Sequence, residues 1–134
     1  MKLITQNYKN ISLITPATGF MWPKTSQQTP FPSCCGYDTG LQEKLVPDNF
    51  YDVNVSPACW IHDQMFALAD PTWKDFYLAN DTFIHNLKQI IEHESGSRVM
   101  KQLRIIRAYE YYAAVMLPGS IAFWAMKAKQ GHEK

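Results

Sequence analysis

A chain of 134 residues with 46% hydrophobic and 19% charged residues carries apolar material for one domain with a single core. Lys and Arg number 13 against 12 Asp and Glu, a formal net charge of +1, so no global field recommends nucleic acid or another polyanion as a partner. The three cysteines, Cys34, Cys35 and Cys59, allow one bridge with one thiol left over, which fits neither a disulfide scaffold nor a zinc ribbon.

The N-terminus, MKLITQNYKNISLITPATG, lacks the charged-then-apolar layout of a signal peptide, so export by the standard route is not expected. Most of the prolines, with many Thr, Ser, Gln and Asn, fall before residue 55, a composition of loops and short extended pieces. Residues 1–33 therefore read as an irregular N-terminal segment. A mainly α domain over residues 34–128 is expected to follow, with a disordered tail at 129–134.

The first helix is predicted to start at Ser56 as N-cap with Pro57 in the first helical position. Cys59, His62, Met65, Phe66 and Ala69 then recur at helical spacing. Asp70 and Pro71 repeat the cap-then-proline signal, so a second helix is predicted from there to about Glu94, antiparallel to the first, with Ser95 and Gly96 ending it. Ser97 can cap a third helix with Met100, Leu103, Ile106, Tyr109, Ala113 and Met116 facing inward. Its basic stripe, Arg98, Lys101, Arg104 and Arg107, reads as an ordinary solvated face. Pro118 and Gly119 end that helix before a short aromatic one, SIAFWAMKAK. The apolar run 111–126 is shorter than the roughly 18–20 residues that span a bilayer, so it reads as buried or interfacial. Trp22, Trp73, Phe123 and Trp124 are candidates for an interfacial rim.

Inside the first helix, His62 and Asp63 raise a question, because desolvating such a pair costs several kcal/mol unless each finds a partner. Both helices rise about 1.5 Å per residue, so residues equally far from their connection lie opposite one another. Counting from Pro71, Asn80 and Asp81 stand across from His62. Phe83, Ile84, Leu87 and Ile91 put Asn80 most squarely on the inward stripe, whereas an anionic Asp81 would better support a protonated imidazole. Both remain candidates. Asp63, about 100° further round the helix, looks toward a different cover, for which the loop CCGYDTG is the natural choice. A bond from Cys35 or Cys34 to Cys59 would pin that loop over Asp63, and glycine-loop carbonyls beside a carboxylate make a hard, all-oxygen site that suits Ca2+.

The order Cys59, two residues, His62-Asp63, two residues and the aromatic Phe66 resembles the active-site helix of the phospholipase A2 superfamily. The run PDNFYDVNVSPACWIHDQMF is similar in particular to its small bacterial and fungal branch, and the likeness covers roughly residues 34–125. It implies two long antiparallel helices carrying the active site, a third helix and a calcium loop. It also implies hydrolysis of the sn-2 ester of glycerophospholipids at a membrane surface, with His62 as general base, an Asp of the second helix orienting it, and Asp63 binding Ca2+. Backbone carbonyls around Cys34, Gly36 and Asp38, with the Asp38 carboxylate, are the further ligands the likeness implies. Two features depart from the pattern: the loop is not the glycine-rich one of animal enzymes, and Phe66 stands where a tyrosine is usual. The low cysteine count is consistent with an intracellular or phage-encoded version.

Two other readings compete. A zinc hydrolase could draw on Cys59, His62, His85 or His93, although His85 and His93 are too far apart on one helix to grip one ion. A non-catalytic lipid- or protein-binding module of the same fold would explain Phe66 and Asn80.

Overall fold

The computed structural model describes residues 1–22, 49–50, 53–94 and 96–132. Its first element corrects the expectation of an irregular start: strands β1 (Leu3–Tyr8) and β2 (Ile11–Pro16) form an antiparallel hairpin, paired from Leu3 with Pro16 to Tyr8 with Ile11. Lys9 and Asn10 make the two-residue turn, with φ of 48° and 69°, the paired left-handed conformation that matches strand twist. The period of two is present in the sequence, where Ile11, Leu13 and Thr15 point into the core and Ser12 points out. Polar residues on the outward face dilute it. A second, minimal pairing joins β3 (Asn49–Phe50) to β4 (Val53–Asn54).

Helix α1 (Ser56–Leu68) begins one residue earlier than the cap signal implied, because Val55 is the N-cap and Ser56 is already helical. The Ser56 N–H donates instead to Asn54 Oδ1 at 2.8 Å. Helix α2 (Trp73–His93) likewise starts after Asp70-Pro71, which form the connection. Thr72 is its N-cap, accepting from Asp75 N at 3.2 Å, while the Asp75 carboxylate turns back to accept from Asp70 N at 2.8 Å. This reciprocal clamp keeps the turn short.

Helix α3 (Arg98–Met116) starts where Ser97 predicts, the hydroxyl accepting from Met100 N at 3.2 Å. Its inward face does not follow the apolar stripe. Arg104, Ala108 and Tyr111 are buried, whereas Leu103, Ile106, Tyr109 and Ala113 are exposed. The rotation has local causes: Ala108 lacks a bulky side chain at the packing surface, and Arg104 runs inward to donate from Nη1 to the Glu94 carbonyl at the end of α2, 3.2 Å away. Helix α4 (Pro118–His132) continues through 129–132, where a tail was expected. Lys127 and Gln130 of α4 both donate to the Ala67 carbonyl in the last turn of α1, at 3.3 Å each, which closes that end of the bundle.

The described residues thus form a mainly α protein of four helices with the N-terminal hairpin as its one sizeable sheet element. Helix α2 is central, packing against α1, α3 and β2. Its buried Asn86 accepts from Ile14 N at 2.8 Å and donates to Ile14 O at 2.9 Å. One amide thereby takes the place of a neighbouring strand and docks the hairpin on the helix. No helix among the described residues is long and apolar enough to cross a membrane.

Candidate functional site

The antiparallel count from Pro71 places the site. Phe66 and Phe76, five residues either side of Pro71, have ring centroids 5.9 Å apart, and nine residues either side stand His62 and Asn80. There His62 Nε2 lies 2.7 Å from Asn80 Oδ1. The Asn80 NH2 faces the other way, donating to the Val115 carbonyl at 3.4 Å and toward Met116 Sδ at 3.2 Å in the last turn of α3. Both donor groups of the amide being turned to α3, the oxygen must meet the imidazole. Nε2 therefore carries the hydrogen and Nδ1 keeps its lone pair. One buried amide joins α1, α2 and α3.

The imidazole is almost fully enclosed, its ring 4.1 Å from that of Phe66 and 4.7 Å from that of Phe83. Burial pushes its pKa down to about 4, and the hydrogen bond that Nε2–H donates to Asn80 offsets this only in part. Neutral imidazole is the resting form at neutral pH. Asp63, next in the chain, is exposed. Cys59, one turn before, is buried and disulfide-bonded, and the chain's other cysteines are Cys34 and Cys35. The bridge removes Cys59 from any zinc site.

Asp81, the other candidate partner of His62, faces elsewhere. It lies on the outside of α2, accepting from the Tyr112 hydroxyl at 3.0 Å, and does not approach His62. The 100° step from Asn80 carries it round to the α3 side, as periodicity implies and as acid-base chemistry alone does not. Burial first, then Asp81, raises the Tyr112 pKa.

The loop residues Gly36 and Asp38, with Cys34 and Cys35, lie outside the described residues. Among the described residues no group of three or more His, Cys, Asp or Glu side chains converges to hold a metal ion. Asp63 supplies one hard oxygen donor group, which fits calcium in kind and falls short of its six to eight ligands in number. The aromatic rim is divided: Phe123 is core, Trp22 packs with Tyr8 and Phe20, and Trp73 joins Trp124 at 5.3 Å with about half its own surface exposed. Sequence reasoning missed the contact of Val115 and Met116 with Asn80. Its only signal was that an amide, which donates as well as accepts, stands where a carboxylate was sought.

Compared with family models, curated proteins and solved structures, the chain matches none.

Proposed function

We propose that the protein is a phospholipase A2-like hydrolase that cleaves the sn-2 ester of glycerophospholipids with calcium. One observation carries the reading: a buried neutral imidazole is held through Nε2–H by Asn80, with Nδ1 as acceptor, directly before an exposed carboxylate and one turn after a bridged cysteine. In that role His62 Nδ1 accepts a proton from the attacking water, and Asn80 keeps the tautomer that leaves Nδ1 basic. Asp63 is the residue of the described chain that would hold calcium, with Gly36 and Asp38 as the further donors the resemblance implies. Bound calcium would polarise the ester carbonyl.

A second reading is favoured by one specific feature. A base whose pKa lies near 4 and whose partner is an uncharged amide is a weak proton acceptor with little to stabilise the imidazolium. A non-catalytic lipid- or protein-binding module of the same architecture accounts for that. Phospholipid vesicles labelled in the sn-2 chain separate the two readings. The hydrolase releases labelled fatty acid with calcium and stops with a chelator, and the module binds without release.

A further inference from the structure

The apolar stripe of α3 that does not meet the core leads to a second surface. Val99, Leu103, Ile106, Glu110, Ala113 and Leu117 follow one another at alternating four- and three-residue steps. They form a single line along the helix. All are exposed, Val99 at 69%, Ile106 at 57% and Leu117 at 72%. With Tyr109 at its edge, 47% exposed, the stripe is an exposed apolar line along the whole helix, broken by one charge, Glu110.

We propose that this stripe is the interface of a two-fold homodimer in which α3 of one copy lies antiparallel against α3 of another. The order of residues is self-complementary about Ala108. Val99 falls opposite Leu117, Leu103 opposite the small Ala113, and Ile106 opposite the methylenes of Glu110. At the Leu103–Ala113 step a large side chain meets a small one, which lets the two helices approach. The same register answers the one charge in the line. Glu110 pairs with Arg107 of its own helix at 2.7 Å, and in the dimer the Arg107 of the second copy comes beside it as well. Two acidic and two basic groups then ring the axis as a closed, neutral network. A parallel pairing would instead stack Glu110 on Glu110. This inference does not rest on the hydrolytic reading, because α3 presents the stripe away from His62.

Sedimentation velocity of the full chain over a rising micromolar series tests it. The wild type is expected to move to a dimer, and Ile106→Lys to weaken that association by more than about 30-fold with unchanged circular dichroism. Register is tested by mixing Val99→Cys with Leu117→Cys under mild oxidation. Peptide mapping should find the 99–117 link in the mixture, and no 99–99 or 117–117 link in either variant alone. A monomer throughout the series, self-links in the single variants, or a monomer that binds anionic vesicles through Ile106 would each overturn the dimer.

Discussion

His62 Nε2 and Asn80 Oδ1 stand 2.7 Å apart, and the same Asn80 amide reaches the Val115 carbonyl, so a single side chain links the imidazole to the end of α3. Asn80→Ala should therefore cost about 2–4 kcal/mol, because it leaves a cavity, a buried N–H and a buried carbonyl without partners. Urea denaturation reads the loss. Asn80→Asp should raise the His62 pKa by supplying a counter-charge, while setting a carboxylate against the Val115 oxygen and lowering stability. Nitrogen-15 NMR of the ring reports the first effect, and the urea midpoint the second.

Acid should destabilise the protein through His62. Its folded pKa of about 4 lies below the unfolded value of 6.5, so the unfolded chain takes up a proton that the folded chain refuses. The stabilising contribution is complete above about pH 6.5 and falls as the pH drops toward 4, by about 3 kcal/mol in all. His62→Phe should flatten stability across that window in pH-dependent denaturation. An unchanged slope would assign the acid sensitivity to other groups.

Asp81 and Asp63 should behave as surface carboxylates with different consequences. Asp81→Asn removes an exposed contact, so stability should move by less than about 0.5 kcal/mol and activity should be retained, while the Tyr112 pKa falls. Ultraviolet titration of the tyrosines checks the direction. Asp63→Asn should lower calcium affinity by more than tenfold in titration calorimetry.

Asn86→Ala should release the hairpin. Its two bonds to Ile14 are the polar link between β2 and α2, and their loss should cost about 2–3 kcal/mol. Hydrogen exchange at the Ile14 amide should accelerate far more than exchange within α1.

The helical pair and the His62–Asn80 contact were legible because they depend on local signals: a tight turn, a fixed rise per residue and a 100° step. The start of α2 lies two residues beyond the Asp70-Pro71 signal, with Thr72 in place of Asp70 as N-cap, because the Asp75 carboxylate holds the Asp70 amide in the turn. The hairpin was hidden by its polar outward face, although Ile11, Leu13 and Thr15 carry its period. On α3 the strongest apolar periodicity pointed to the wrong face. Periodicity marks a stripe that avoids water, and it does not say whether the chain's own core or another surface covers that stripe. The Asn86 amide and the Val115 carbonyl act across long sequence separations, where no local pattern signals a contact.

The proposed hydrolysis stands or falls with His62 as its base. The most direct measurement is the release of fatty acid from sn-2-labelled phospholipid vesicles by the wild type and by His62→Ala, at saturating calcium and pH 8, with circular dichroism confirming that both are folded. If His62 is the base, the wild type releases fatty acid steadily and the variant loses at least about 100-fold of that rate. Equal release by the two proteins, or none by the wild type, would contradict it.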